Sequence, residues 1–391
     1  MLIDIIAGAR PNFMKIAPII KEIVRVNDTS EAGKNSKDYL EFRLIHTGQH
    51  YDKNMSGAFF EQLGIPEPHL NLESGSGTQS EQTGKIMTRY EEVLRVRPSD
   101  LCIVVGDVTS TMACSITAKK MGVRVAHVEG GIRSGDMTMP EEINRLATDS
   151  ITDYFFTTST IANENLRKEG IDDSRIFFVG NTMIDTLLGN LERLKKPSLF
   201  DEKKLESGRY FVMTLHRPAN VDEQNKLKEL IDNIAKGVGD NLIVFPVHPR
   251  TKKILDDLGI SYDNIIYTEP LGYLEFIYLV KHARAVITDS GGITEETTVL
   301  KVPCLTLRDN TERPETITEG TNVLIGTNPE LVKPALRHLI EGDWKKGTIP
   351  QKWDGKASIR IIASIQKLWE SDKLKPHEPY VDQDLMYKPK E

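Results

Sequence analysis

The sequence predicts an α/β chain of two consecutive doubly wound parallel-sheet domains, each Rossmann-like, with a cleft between them. Three observations predict it. Short apolar, β-branched runs alternate with amphipathic helical patterns, which implies parallel strands with helices on both faces. The alternation comes in two series of similar size, separated by a seam between Gly180 and Lys196. A length of 391 residues suits two or three domains.

The first series opens with strand Leu2 to Ala7, turn Gly8 to Asn12 and an amphipathic helix from Phe13 to Val26. Asn27 to Asp38 is polar and turn-rich, and reads as a loop. Strand Phe42 to Thr47 ends in Gly48-Gln49-His50-Tyr51, with helical patterns through Gln62 and from Gln79 to Val96. Strand Leu101 to Val105 runs into Gly106-Asp107, and Thr109, Ser110 and Thr111 open a helix. Strand Val123 to Val128 ends in Glu129-Gly130-Gly131-Ile132-Arg133. Pro140-Glu141-Glu142 starts a helix, with proline in the first turn and acids favoured by the dipole. Strand Tyr154 to Thr157, helix Thr160 to Glu169 and strand Arg175 to Val179 complete the series.

The second series contains strand Tyr210 to Leu215, helix Glu223 to Val238, and strands Leu242 to Val247, Ile265 to Thr268 and Ala285 to Thr288. It closes with strand Cys304 to Leu307 and helix Glu330 to Glu341. The expected division is residues 1–182 and 183–365, with the tail 366–391 returning to the first domain.

Composition excludes several function classes. Hydrophobic residues at 39% and charged residues at 27% are the balance of a soluble globular protein. No apolar run approaches the ~20 residues that span a bilayer, and the opening M-L-I-D-I-I-A-G reads as a strand rather than a signal peptide. A formal net charge of -7 offers no broad basic face, so neither nucleic acid nor a membrane is expected as a partner. Cys102, Cys114 and Cys304 sit in apolar settings without metal-ligand spacing, pointing to a cytoplasmic location without disulfides or zinc.

Charged groups recur where doubly wound sheets bind ligands, at the carboxyl ends of strands: Arg10, Asp107, Glu129, His216, His248, Asp289 and Arg308, with Glu141 and Arg313 nearby. Taken singly, each has a plainer reading as a helix cap or a loop residue. Together they define one crevice. Arg10 and Lys15 form a candidate anion site at the first strand's end. Ser290-Gly291-Gly292 joins a strand to a helix, so its backbone can approach a phosphate at the helix N-terminus. A βα turn capped by Asp289 or Ser290 has the same composition. Without a metal triad, a G-x-S-x-G elbow or a nicotinamide fingerprint, the tools are carboxylates, a histidine and cationic phosphate clamps. That set suits proton transfer at a carbon with a phosphate-bearing leaving group, or glycosyl transfer from a nucleotide sugar.

The motifs G-A-R-P, G-D-V-T-S-T, H-V-E-G-G-I-R, P-E-E-I-N-R, G-N-T, D-S-G-G-I-T-E-E, R-D-N-T-E-R-P-E and W-D-G-K-A-S-I-R-I occur in order over nearly the whole chain. In this the sequence resembles the non-hydrolysing UDP-N-acetylglucosamine 2-epimerases. The resemblance implies a GT-B-like pair of Rossmann-like domains, a homodimer, a UDP-sugar substrate and no cofactor. It implies epimerisation at C2 by anti elimination of UDP to a 2-acetamidoglucal, followed by re-addition. Asp107, Glu129, Glu141 and His216 match the family's catalytic residues. Arg10, Ser290, Gly291 and Gly292 match its diphosphate contacts, Glu296 the ribose contact and Arg313 a further ligand-binding arginine. Phe276 falls where the family meets uracil through its backbone. Which carboxylate takes the C2 proton is left open. Two stretches depart from the pattern: His216-Arg217-Pro218-Ala219-Asn220 stands where many members have H-R-R-E, and Gln49-His50-Tyr51 replaces Q-H-R, which puts activation by UDP-N-acetylglucosamine in doubt. Both resemble epimerases of UDP-2,3-diacetamido-2,3-dideoxyglucuronate, so that substrate is the alternative to UDP-N-acetylglucosamine. A GT-B glycosyltransferase is the more distant alternative.

Overall fold

The computed structural model describes residues 1–29, 36, 39–48, 60–221, 223–247, 249–371 and 373–374. They fall into two units, Met1–Thr186 with the described residues from Asp354 on, and Leu187–Trp353.

In the first unit, strands β1 (Leu2–Ala7), β2 (Glu41–His46), β3 (Leu70–Asn71), β4 (Leu101–Val105), β5 (Arg124–Val128), β6 (Tyr154–Thr157) and β7 (Ile176–Phe178) form a seven-stranded sheet in the order β3-β2-β1-β4-β5-β6-β7. Every pairing is parallel. β1 and β4 are buried along their whole length, as an apolar run covered on both faces requires. Its helices include α1 (Arg10–Thr29), α2 (Gln79–Val96), α3 (Thr109–Lys120), α4 (Pro140–Ile151) and α5 (Thr160–Lys168), and the division between the units falls within α6 (Thr182–Asn190).

The second unit contains α7 (Ser198–Glu202), β8 (Tyr210–Thr214), α8 (Pro218–Val221), α9 (Gln224–Gly237), β9 (Leu242–Pro246), α10 (Pro249–Asp257), β10 (Ile265–Thr268), α11 (Tyr273–His282), β11 (Ala285–Thr288), α12 (Gly291–Leu300), β12 (Cys304–Thr306), α13 (Pro314–Thr318), β13 (Asn322–Leu324) and α14 (Val332–Ile340). Its sheet runs β10-β9-β8-β11-β12-β13, again parallel throughout. The chain then returns to the first unit as α15 (Ala357–Glu370), which packs on α1. α15 buries Ala357, Ile361, Ile362, Ile365 and Leu368, an apolar stripe at helical spacing. Asp185 accepts the Ala357 and Ser358 N–H groups at 3.0 and 2.7 Å and so caps the helix from α6.

Each sheet has one switch point where the strand order reverses, between β1 and β4 in the first and between β8 and β11 in the second. The crevice beyond the strand carboxyl ends at such a point is where open α/β sheets bind ligands.

α1 departs from the expected Phe13 to Val26. It begins at Arg10, because Pro11 is pre-set for a first helical turn and Asn12 Oδ1 accepts the N–H groups of Gly8 and Ala9, both at 3.0 Å. It also runs through Pro18, which cannot donate to the Met14 carbonyl; the Thr186 hydroxyl donates to that carbonyl instead, at 2.5 Å. α12 likewise starts early, at Gly291, so that the two glycines of the Ser290-Gly291-Gly292 junction lie in its first turn. Among the described residues no helix is long and apolar enough to cross a membrane. Cys102, Cys114 and Cys304 are free and buried.

Candidate active site

At the switch point of the first unit, Asn12 joins the two strand ends, donating from Nδ2 to the Val105 carbonyl at 3.0 Å. Lys15, in the second turn of α1, reaches the end of β5, where its Nζ lies 2.6 Å from Glu129 Oε2. Gly106 lets it pass: a Cβ there would stand 2.9 Å from that Nζ, and the residue has φ 67°. Glu129 itself is 3% exposed and holds φ 74°, a left-handed conformation that an ordinary side chain adopts at a cost of order ~1 kcal/mol or more.

The strain at Glu129 is held by its neighbours. His127 links α4 to the end of β4, with Nδ1 2.6 Å from Asp149 Oδ1 and Nε2 2.7 Å from the Gly106 carbonyl. Asp149 Oδ2 accepts the Gly131 N–H at 2.9 Å and pairs with Arg133 Nη1 at 2.7 Å. Burial raises the Asp149 carboxyl, but these partners, His127 foremost, hold it below the usual carboxylate range.

Asp107, at the end of β4, is gripped by Arg145 of α4 through Nη2 at 2.5 Å and Nε at 3.1 Å. The Asp107 side chain keeps 30% exposure, so a ligand can reach it. Arg145 is anchored from behind by Glu142 at 2.6 Å, and Glu142 also accepts the Ser134 and Gly135 N–H groups. Glu141 is the second residue of α4 and half-buried. The neighbouring acids of Pro140-Glu141-Glu142 thus divide the work, Glu142 fixing the loop and Arg145 while Glu141 sits in the first helical turn.

In the second unit, Asp289 at the end of β11 is fully buried and pairs with His216 Nδ1 at 2.7 Å. It also accepts the His216 and Arg217 N–H groups at 3.0 and 2.9 Å and Asn220 Nδ2 at 3.2 Å. The His216 side chain is 60% exposed. Because Asp289 turns toward β8, it does not cap α12, and Ser290, at the N-cap position, makes no side-chain cap hydrogen bond either. The stretch is thus a βα turn with Ser290 at the N-cap position and without a side-chain cap hydrogen bond. Beneath Gly291 lies the buried fork of Arg308 on Glu312, at 2.8 and 2.7 Å.

Behind this helix start the acids outnumber the cations. Arg313 is buried against Glu295. Glu296 is buried, accepts the Tyr273 hydroxyl at 3.1 Å and has its pKa pushed up by burial to about 8. Burial likewise raises Glu315 to about 7. Phe276, on α11, is half-buried and its N–H donates to the Gly272 carbonyl at 2.9 Å.

The structure brings Lys15, Asp107 and Glu129 together at one switch point, and His216, Ser290, Gly291 and Gly292 around the other. His248 and Gln49-His50-Tyr51 lie outside the described residues, as does the Arg10 side chain, although its backbone opens α1. Two supports were missed by sequence reasoning. Arg145 and His127 lie inside the motifs, but nothing local ties Arg145 to Asp107, 38 residues away, or His127 to Asp149, 22 residues away. Among the described residues no group of three or more His, Cys, Asp or Glu could hold a metal ion.

A family model described as UDP-N-acetylglucosamine 2-epimerase matches residues 33–366. A UDP-N-acetylglucosamine 2-epimerase of Methanocaldococcus jannaschii is 42% identical over 374 residues, covering 93% of this chain and 98% of that protein. A UDP-2,3-diacetamido-2,3-dideoxy-D-glucuronate 2-epimerase of Pseudomonas aeruginosa is 36% identical over 372 residues, covering 94% and 100%. The crystal structure of the Methanocaldococcus enzyme in complex with UDP-GlcNAc and UDP matches with a TM-score of 0.80 at 41% identity, over 93% of this chain and 100% of that one.

Proposed function

The chain belongs to the UDP-N-acetylglucosamine 2-epimerase family, and from that premise we propose that it interconverts UDP-N-acetylglucosamine and UDP-N-acetylmannosamine. In the forward step the C2–H and C1–O bonds break, C1=C2 forms, UDP leaves with the bonding electron pair and an enzyme base takes the proton. Re-addition of UDP with protonation of the other face of C2 gives the epimer. Elimination and re-addition move only a proton and UDP, never a hydride, so the chemistry needs no redox cofactor.

One observation carries this reading: two carboxylates, Asp107 and Glu129, meet at one switch point, each held by its own cation. A C2 hydrogen is a poor acid, so its removal needs a positioned base together with a leaving group whose charge is stabilised. Asp107, Glu129 and Glu141 are the proton-transfer groups, with the choice of base among them open. Lys15 acts through Glu129. Ser290, Gly291 and Gly292 offer helix N–H groups to the diphosphate, with Arg10 adding charge, and His216 stands beside that seat. Glu296 takes the ribose, Phe276 the uracil, and Arg313 supports the seat through Glu295. The active form is a homodimer in the cytoplasm, its mass measurable by sedimentation.

The test is NMR of the purified protein with UDP-N-acetylglucosamine in deuterated water, where solvent deuterium should appear at C2 of the product. A product whose C2 hydrogen came wholly from substrate would sink the mechanism. Accumulation of free N-acetylmannosamine with UDP would indicate a hydrolysing enzyme. The similarity to the Pseudomonas epimerase favours a second reading, in which UDP-2,3-diacetamido-2,3-dideoxyglucuronate is the substrate. Turnover of that nucleotide alone would decide for it.

A further inference from the structure

We propose that Asp289 is a positioning residue for His216: its buried carboxylate fixes the imidazole as the Nδ1–H tautomer and presents Nε2 to the open side of the second switch point. The inference rests on the reading above for what the imidazole does, and on geometry for how it is held.

Asp289 is fully buried and gathers donors from one short segment: His216 N–H, Arg217 N–H, Asn220 Nδ2 and His216 Nδ1. Although burial works against it, these bonds, that of the His216 side chain first, keep its carboxyl below the usual range. An ionised carboxylate only accepts hydrogen bonds, so at 2.7 Å from it Nδ1 must carry a proton. In the neutral ring the lone pair then lies on Nε2, on a side chain that is 60% exposed.

The same loop carries the helix start. Asp289 immediately precedes Ser290-Gly291-Gly292, and the loop is tied to β8 by the pairing of Thr288 with Thr214, whose hydroxyls lie 2.6 Å apart. The charged neighbours are Arg217, whose Nη2 is 3.8 Å from Glu312, and Arg308, which Glu312 holds in a fork. A diphosphate on the helix start therefore sits on the segment that orients the imidazole. In a reversible elimination, the group beside the departing phosphate must give a hydrogen bond or proton in one direction and take it back in the other. A histidine that does both at Nε2 needs Nδ1–H in its neutral form. Asparagine at position 289 keeps an acceptor for the backbone N–H groups but can turn an amide N–H toward Nδ1, favouring the other tautomer.

The experiment reads the ring 15N shifts of His216 in the full-length protein, assigned by loss of the signal in His216→Gln. Nδ1–H is expected in the wild type and Nε2–H in Asp289→Asn. In Asp289→Asn, kcat should fall on the order of 100-fold while the Kd for UDP changes by less than about threefold. In a His216→Gln background the same substitution should cost less than about twofold further, because its effect passes through the ring. Wild-type Nε2–H would overturn the proposal without recourse to any variant, as would losses that multiply in the double variant, or UDP affinity falling in step with kcat. Nδ1–H in a wild type that exchanges no C2 hydrogen would support the pairing and overturn the epimerase reading.

Discussion

Between β1 and β4, the crevice of the first unit is built from carboxylates answered by cations: Lys15 on Glu129 and Arg145 on Asp107. Between β8 and β11, the second unit reaches the same topological position with a helix start, an exposed imidazole and glycines, while Arg308 and Arg313 are turned inward onto Glu312 and Glu295. The sheets are wound alike, so topology selects the place and leaves the chemistry to the strand-end residues. Oriented acids suit moving a proton. Helix N–H groups and a close backbone approach suit gripping and releasing an anion.

The largest expected effect tests that division of labour. Glu129→Gln and Asp107→Asn should each lower kcat by about 10³-fold, since an amide keeps the shape but cannot accept the proton. The Kd for UDP, measured by calorimetry, should stay within about threefold of wild type. Binding lost in proportion to kcat would mean that the carboxylates build the nucleotide seat, and the contrast between the units would collapse.

How far this contrast can be read in the sequence depends on which interactions are local. Asp107, Glu129, His216 and Asp289 are legible because each follows an apolar run, and a parallel sheet carries every strand end to one edge. The partners are not, because Lys15 and Glu129 lie 114 residues apart and Arg145 and Asp107 lie 38 apart, distances that only the folded sheet closes. Glu141 and Glu142 are adjacent in sequence, and only the course of the loop at Ser134 and Gly135 decides which is buried. β3 and β13, at two and three residues, are too short to carry a period. α11 is apolar enough to be read as core of either kind, and its period does not separate helix from strand.

A second way to sharpen the comparison is pH, because the units bury opposite kinds of neutral group. In the first, His46 is 1% exposed, accepts the Gly48 N–H at Nδ1 and is lowered by burial to about 4. An unfolded histidine takes up its proton near 6.5, so below that pH the unfolded chain gains protons that the folded one refuses. Stability falls from there down to about pH 4, by about 2 kcal/mol between pH 7 and 5. In the second unit Glu296 keeps its proton up to about pH 8, whereas the unfolded carboxyl loses it near 4.5. Its contribution is complete below 4.5 and is lost as pH rises through 8, at about 1 kcal/mol between pH 7 and 8. Urea unfolding should therefore show His46→Gln flattening the acid slope and leaving the alkaline one, and Glu296→Gln doing the reverse. Equal flattening on both sides would mean that neither group is buried in the form assigned.

The smallest effect is the most discriminating, because it asks what the glycines are for. A Cβ at Gly8 in the first unit would overlap Ser110 Oγ, so Gly8 exists to let α3 pack against the end of β1. At Gly291 the nearest atoms to an added methyl would be Arg308 Nη1 at 3.5 Å and Glu312 Oε2 at 3.6 Å, ordinary contacts that the protein accommodates. Nothing among the described residues demands glycine there, and its φ is not left-handed. If the space above it belongs to a diphosphate, Gly291→Ala should leave the urea midpoint unchanged or raise stability by up to about 1 kcal/mol. The same methyl should weaken UDP binding about 10-fold, by holding the phosphates away from the first N–H groups of α12. Gly8→Ala should do the opposite, lowering stability while UDP affinity holds in the fraction that folds. An unchanged Kd for UDP in Gly291→Ala would move the diphosphate off this helix start and remove the reason for assigning the second unit to the leaving group.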